Sequence, residues 1–370
     1  MHYKILATKW RPKSFIEVIG QKHIINAISN SFKNNKIHQS WILSGSRGTG
    51  KTTVARLLAK SLNCHNISNM YSCNTCLNCK NIEKKCFPDL IEIDAASKTK
   101  VEDIKELLET IKYPPMYGKF KIYLIDEIHM LSKNSFNALL KVLEEPPKYI
   151  KFILITTEIY KIPKTIISRC IYFNFQKIPS KNIRICLKNI FKAEKIHAEE
   201  TVLNILAKQS KGSMRDALNL TEKAIMIDPK IIRTSSILQM FGLIHTKQIL
   251  KVILSIIKKN TIELMSLLHE MYDANIKSDQ ILIEILKILY KISILKNIPY
   301  TKQYKEKSNY KKKIYTLSKQ IHYKKLKNYY KIILKGRKEI SLAPNKKIGL
   351  EMTLLHLIHY TNNPNNTKKR

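Results

Sequence analysis

At 370 residues, 44% of them hydrophobic, the chain is long enough for two or three domains with cores of their own and too apolar for wholesale disorder. Its 66 Lys and Arg against 28 Asp and Glu give a formal charge of +38, a sign compatible with a polyanionic partner. Lys, Ile and Asn are nevertheless enriched from end to end, as in an AT-biased genome, so the charge alone marks no binding face.

The start, "MHYKILATKWRPK", lacks the apolar core of a secretory signal, and no run approaches the ~18 apolar residues that span a bilayer. A soluble, cytoplasmic protein without a membrane partner is expected, in which disulfides are disfavoured. Residues 20–36 have the apolar spacing of an amphipathic helix. "WILSGSRGTGKTTVARLLAKSL" reads as a buried strand, a Gly-rich turn and a helix. "DLIEIDAA" predicts a strand, "TKVEDIKELLETI" a helix, and "KFKIYLIDEIHML" a strand ending in two carboxylates. "KNSFNALLKVLEEPP" predicts a helix with Phe136, Leu139, Leu140 and Leu143 on one face, stopped by Pro146 and Pro147. "KFILITT" and "SRCIYFNF" complete the strands. The alternation implies an α/β fold with a doubly wound, mostly parallel sheet. From about residue 180 the pattern is all helix, with a small helical block and then long helices from about 243. The end, "TNNPNNTKKR", reads as a frayed polar tail.

Gly45, Ser46, Arg47, Gly48, Thr49, Gly50, Lys51 and Thr52 match G-x-x-x-x-G-K-[ST]. Glycines let backbone N–H groups turn around phosphates, Lys51 reaches the β/γ-phosphates, and Thr52 offers a hydroxyl to magnesium. Asp126 ends an apolar strand where it can hold that magnesium, and Glu127 can polarise an attacking water. Two carboxylates against a buried strand are costly without a cation, which disfavours a merely solvated acidic turn. Thr157 closes the next strand, where its hydroxyl can orient water or sense a γ-phosphate. Arg169 in "ISRC" and Arg215 in "GSMRDAL", taken alone, read as surface charges near element ends.

Five cysteines fall between residues 64 and 86. Cys64, Cys73, Cys76 and Cys79 have the spacing C-x8-C-x2-C-x2-C, and four thiolates form a closed tetrahedral structural site for zinc. An Fe–S cluster takes the same ligands, so spacing leaves both open. A zinc enzyme needs an open metal position, which four thiolates do not leave. Cys86 and His65 read as bystanders.

In order, "KWRPKSFIEVIGQ", "GSRGTGKT", "DEIH", "KVLEEPP", "ISRC" and "GSMRDAL" resemble an AAA+ ATPase of the clamp-loader branch. With the cysteine block and "LKGRKEISLAPNKKIGLEMTLL", residues 1 to 360 resemble the gamma/tau subunit family of bacterial DNA polymerase III, in its short, gamma-like form. The resemblance implies an AAA+ domain at 1–178 with a zinc module at about 64–86, a helical lid at 179–242 and a helical collar at 243–360, with 361–370 a disordered tail. ATP, Mg2+ and Zn2+ are the implied cofactors. Lys51 and Thr52 take the phosphates and magnesium, Asp126 the magnesium, Glu127 the role of base, and Thr157 that of nucleotide sensor. Arg215 contacts nucleotide from the lid, Arg169 is an arginine finger acting in trans, and Arg11 and Pro12 lie by the adenine, although "WRP" also reads as a structural turn. The implied assembly is a hetero-oligomeric ring of copies and related subunits that loads a sliding clamp onto primed DNA within the polymerase III holoenzyme. Lys98, Lys100, Lys133 and Lys141 are the candidate DNA contacts. The intact phosphate loop disfavours a catalytically silent scaffold subunit, "ISRC" and the cysteines disfavour a branch-migration ring, and no polymerase active site is visible.

Overall fold

The computed structural model describes residues 5–97, 106, 108–274, 276–297 and 309–360. They fall into two compact units, divided between Arg233 and Thr234.

The first unit is built on a five-stranded parallel sheet in the order β2-β3-β4-β1-β5. Its strands are β1 (Ser40–Gly45), β2 (Leu90–Asp94), β3 (Lys121–Asp126), β4 (Ile150–Thr156) and β5 (Ile171–Phe175). β4 is buried along its whole length, as a central parallel strand covered on both faces must be. The period-two alternation of side chains sends odd and even residues to different cores. Trp41, Leu43, Ile153 and Ile155 meet Ile24 and Ile28 of α2 (Lys22–Lys33) and Val54, Ala55 and Leu58 of α3 (Lys51–Leu62). Ile42, Tyr123, Phe152 and Leu154 meet Phe136, Leu139 and Leu143 of α5 (Lys133–Glu144) on the other face. Tyr123 and Phe152 stack there with ring centroids 5.4 Å apart. Each such side chain contributes about 1.5–3 kcal/mol on burial, an upper bound because unfolded chains already bury part of it. Parallel pairing carries Gly45, Asp126 and Thr156 to one edge, the carboxyl ends of β1, β3 and β4, where open α/β sheets bind their ligands.

Between α3 and β2 the cysteine-rich stretch holds α4 (Leu77–Glu83). The helix expected over "TKVEDIKELLETI" lies largely outside the described residues. α6 (Lys164–Ile167) precedes β5, and α7 (Ser180–Ala193), α8 (Glu200–Gln209) and α9 (Met214–Ile227) follow the sheet. The all-helix expectation beyond residue 180 needs correction, because His197–Ala198 (β6) pairs in parallel with Ile231–Ile232 (β7). Two-residue strands carry no period of their own. This pair forms because the chain ends on either side of α8 and α9 come together, the His197 N–H donating to Lys230 O at 3.0 Å. A four-residue helix with no periodic signal, α1 (Leu6–Lys9), packs on α9.

The second unit has seven helices among the described residues: α10 (Thr234–Phe241), α11 (Thr246–Lys258), α12 (Thr261–Asp273), α13 (Ser278–Asn297), α14 (Asn309–Gln320), α15 (Tyr323–Glu339) and α16 (Lys346–His359). One core built from Ile253, Leu268, Ile285, Ile292, Ile314, Ile333 and Leu354 joins α11 to α16. Thr234–Phe241, expected in the lid, clusters with this unit. Gly336 lets α15 approach α16, since a Cβ there would lie 2.3 Å from the Thr353 methyl group. Residues 361–370 lie outside the described residues. Among the described residues no single helix is long and apolar enough to cross a membrane.

Candidate active site and cysteine centre

The phosphate loop runs from the end of β1 into α3. Gly45 has φ +142°, and a Cβ there would sit 2.4 Å from Phe175 O of the neighbouring strand. Thr49 is buried and donates to Ser46 O at 2.8 Å, drawing the loop closed. Ser46 and Arg47 stay exposed at its tip. Lys51 is buried, and its Nζ donates to Gly45 O at 2.7 Å and Ser46 O at 3.0 Å. Burial lowers its pKa, against the opposing pull of Glu127 and Asp126. The ammonium therefore already lies under the loop, at the positive end of α3, where phosphates bind.

β3 delivers the acidic half. Thr52 Oγ1 donates to Asp126 Oδ2 at 3.0 Å, so the two expected magnesium ligands converge from different elements. An oxygen pair of this kind suits a hard divalent cation. Burial raises the pKa of Asp126, a cost that the Thr52 hydroxyl and the Glu127 N–H (3.0 Å to Oδ1) partly offset. Glu127 has φ +49°, left-handed backbone that is uncommon outside glycine and concentrates at functional sites. Its Oε2 accepts from the Thr157 N–H at 3.2 Å and the Thr157 hydroxyl at 3.0 Å. The expected base and the expected sensor are thus in direct contact.

The helical block closes over the loop from the other side. Ser213 caps α9 by accepting from the Asp216 N–H at 3.2 Å, and the Met214 N–H donates to Gly48 O at 2.9 Å. Arg215, exposed on the first turn of α9, has its Cβ within 3.2 Å of where a Gly48 Cβ would stand. The Arg11 pKa is lowered by desolvation, then by the neighbouring cation Arg56, with Arg215 adding to the effect. Arg11 and Pro12 line a groove of about 1160 Å3 with Thr53, Arg56 and Leu57 of α3. Beside them Trp10 Nε1 donates to Glu194 Oε1 at 2.7 Å, and Lys9 pairs with the same carboxylate, tying the start of the chain to α7. The "WRP" segment therefore has a structural role in addition to whatever it binds.

Arg169 stands apart from this cluster. Its guanidinium donates to Glu144 Oε1 at 2.6 Å and Thr165 O at 2.8 Å. Lys133 and Lys141 are exposed on α5. Lys98 and Lys100 lie outside the described residues.

In the cysteine centre the four sulfurs of Cys64, Cys73, Cys76 and Cys79 lie within 4.8 Å of one another, with Cys73 and Cys79 at 4.0 Å. Sulfurs ~2.3 Å from a tetrahedral ion stand roughly 3.8 Å apart, so the cage fits a metal closely. Main-chain N–H groups of Cys73 and Cys76 point at Cys64 Sγ (3.2 Å) and Cys73 Sγ (3.3 Å). Hydrogen bonds from the Thr75 hydroxyl and from the Cys76 and Thr75 N–H groups pull the Cys73 thiol down to about 5, while burial raises Cys64 and Cys79. Cys86 is exposed and bonds Lys84 O, and His65 is exposed outside the cage. Asn78 of α4 donates to Asn63 O at 3.0 Å, and Asn63 bonds both ways with Phe120, docking the centre onto the start of β3.

The motifs did not assign His129, Thr156 or Glu158. His129 Nδ1 lies 3.1 Å from Thr156 Oγ1 and 3.4 Å from Glu127 Oε2, and its Nε2 3.6 Å from Glu158 Oε1. The available signal was the "H" of "DEIH", two residues past the base. Gly48 and Ser213 were quoted in motifs without the contact that joins them.

A parallel sheet whose carboxyl edge joins a phosphate loop to an Asp-Glu pair, with a helical block hydrogen-bonded over that loop, defines a nucleotide-binding protein of the AAA+ ATPase type. Residues 20–179 match the family model "DNA polymerase III, delta subunit", residues 182–227 "DNA polymerase III clamp loader subunit, ATPase lid domain", and residues 232–369 "DNA polymerase III subunits gamma and tau domain III". The chain is 47% identical over 360 residues to the DNA polymerase III subunit gamma of Buchnera aphidicola subsp. Acyrthosiphon pisum, covering 97% of this chain and 99% of that one. It is 45% identical over 366 residues to that of Buchnera aphidicola subsp. Baizongia pistaciae, covering 98% and 99%. Against the tau subunit of Escherichia coli K12 it is 41% identical over 360 residues, covering 97% of this chain and 56% of that one. The chain belongs to the gamma/tau subunit family of DNA polymerase III, the clamp-loader ATPases.

Proposed function

We propose that this chain binds and hydrolyses ATP with magnesium, and that hydrolysis drives loading of a sliding clamp onto primed DNA. The observation that carries the hydrolytic reading is the 3.0 Å contact between Thr52 and Asp126, next to a Glu127 held by Thr157. When bound, magnesium would supply charge neutralisation to the phosphates, and Thr52 and Asp126 are the residues that would hold it. Lys51 leaves the loop carbonyls for phosphate oxygens and balances their charge. Glu127 keeps one oxygen on Thr157 and presents Oε1 to the attacking water, accepting its proton as the oxygen attacks the γ-phosphorus and the β–γ bridging bond breaks. Thr157 turns its hydroxyl toward the γ-phosphate. Arg215 reaches the phosphates from the lid, and Arg11 and Pro12 border the base.

Arg169 acts in trans on the ATP of a neighbouring subunit, within a ring of copies and related clamp-loader subunits in the polymerase III holoenzyme. Arg169 lies two residues before Ile171, which pairs with Trp41 at the opposite end of β1 from Gly45, and this place away from its own phosphate loop supports the role. In this reading the chain divides into ATPase, lid and collar at about residues 178 and 233 and works in the cytoplasm. Zn2+ occupies the cysteine cage, for which the closed set of four sulfurs speaks. Lys98, Lys100, Lys133 and Lys141 hold DNA through phosphates, which position it without reading sequence. Replacing all four by alanine tests this set: DNA-stimulated hydrolysis drops and its salt dependence flattens, and unchanged stimulation removes them from consideration. ATP hydrolysis by the chain alone and with partner subunits, clamp and primed DNA tests the central reading.

A further inference from the structure

Glu127 is held through one oxygen. Oε2 accepts from the Thr157 N–H and the Thr157 hydroxyl, and His129 Nδ1 is its third polar neighbour at 3.4 Å. A threonine hydroxyl has a single proton to donate. Once that proton faces a γ-phosphate, it no longer reaches Glu127, and the anchor reduces to a main-chain N–H and the imidazole. His129 is therefore the side chain left to hold the base in the state that reacts.

The ring is built to stay there. Its side chain is 6% exposed and sits on the 3-10 turn Ile128–Met130 directly after Glu127. Both nitrogens face groups at the end of β4. Nδ1 lies 3.1 Å from Thr156 Oγ1, itself fixed by the Glu158 N–H at 3.0 Å, and Nε2 faces the Glu158 carboxylate at 3.6 Å. Glu158 is in turn tied to Lys161 at 2.9 Å and to the Tyr160 hydroxyl. A shell of this kind fixes the plane of the ring, keeping Nδ1 on Thr156 Oγ1 and 3.4 Å from Glu127 Oε2.

We propose that His129 is a positioning residue for Glu127, holding Oε2 so that Oε1 remains the free proton acceptor, with Glu158 and Thr156 setting the ring. The proposal rests on the hydrolytic reading above and adds a residue that acts only through the base. Asn places an amide near the position of Nδ1, whereas Gln places one near Nε2, so the two variants separate the nitrogens.

The test measures steady-state ATP hydrolysis in the assembled complex with clamp and primed DNA for wild type, His129→Ala, His129→Asn, His129→Gln and Glu127→Gln, and for His129→Ala combined with Glu127→Gln. Wild-type turnover in this mixture tests the hydrolytic reading separately, and its absence sinks that reading whatever the variants do. With turnover established, His129→Ala lowers kcat about 10- to 100-fold, part of the ~10²–10⁴ that a general base contributes, and leaves KM within about twofold. His129→Asn recovers most of the loss and His129→Gln does not. In the Glu127→Gln background His129→Ala adds nothing, as expected of two residues acting as a unit. An unchanged kcat in His129→Ala, equal loss in the Asn and Gln variants, or a full additional loss in the Glu127→Gln background overturns the proposal. Nucleotide binding by each variant, followed by fluorescence titration, separates misfolding from lost positioning.

Discussion

Gly48 of the phosphate loop accepts a 2.9 Å hydrogen bond from the backbone N–H of Met214, at the start of α9, and its missing side chain leaves room for Ser213. Loop and lid are therefore bonded main chain to main chain, at a position with φ +76° where a Cβ would lie 2.0 Å from Ser213 Oγ. Gly48→Ala meets both obstacles, left-handed backbone at about 1–2 kcal/mol and a clash that pushes α9 away. We expect nucleotide affinity to fall at least about tenfold while the far-ultraviolet circular dichroism stays unchanged. Wild-type affinity in this variant would show that lid contact is dispensable for binding.

Asp126 sets stability against function. Burial raises its pKa, and an acid raised in the folded state costs stability once pH exceeds its unfolded value, with the full cost in force above the folded pKa. At pH 7–8 Asp126→Asn should therefore raise the melting temperature of the nucleotide-free chain, while hydrolysis is lost. The gain should shrink as pH falls toward the ordinary Asp value of ~4, where both residues are neutral. A melting temperature lowered at pH 8 would contradict this assignment of the burial cost.

Much of this arrangement was legible in the residues. The apolar runs "WILSG", "KIYLID" and "IKFILIT" became β1, β3 and β4, because strands buried on both faces must be apolar throughout. The meeting of Thr52 with Asp126 followed from strand–loop–helix spacing and a parallel sheet. His129 was not legible, since its role comes from contacts between a turn after β3 and the end of β4, which no local pattern encodes. The same holds for Trp10 and Glu194, 184 residues apart, and for β6 and β7, whose pairing depends on the folding of the helices between them.

The cysteine centre should be structural and separable from nucleotide binding. It docks through Asn63 and Asn78 at the C-terminal end of α3, whose 12 residues place the phosphate loop about 18 Å away along the helix. Cys73→Ser or Cys79→Ser should reduce bound zinc, measured by inductively coupled plasma mass spectrometry, from about one per chain to near zero. Melting temperature should drop by several degrees while ATP still binds. Loss of ATP binding on mild chelation would contradict the separation.

The central claim is hydrolysis by an assembly-dependent site, and Arg169 tests it most directly. The measurement is ATP turnover by the chain alone and by the chain mixed with partner subunits, clamp and primed DNA, each with Arg169 intact or replaced by alanine. Slow turnover alone, strong stimulation in the full mixture, and a loss on the order of 10³ in the stimulated rate for Arg169→Ala are the expected results, matching the lower range for arginine fingers. Equal rates with and without the partners, or full stimulation without Arg169, would contradict the account.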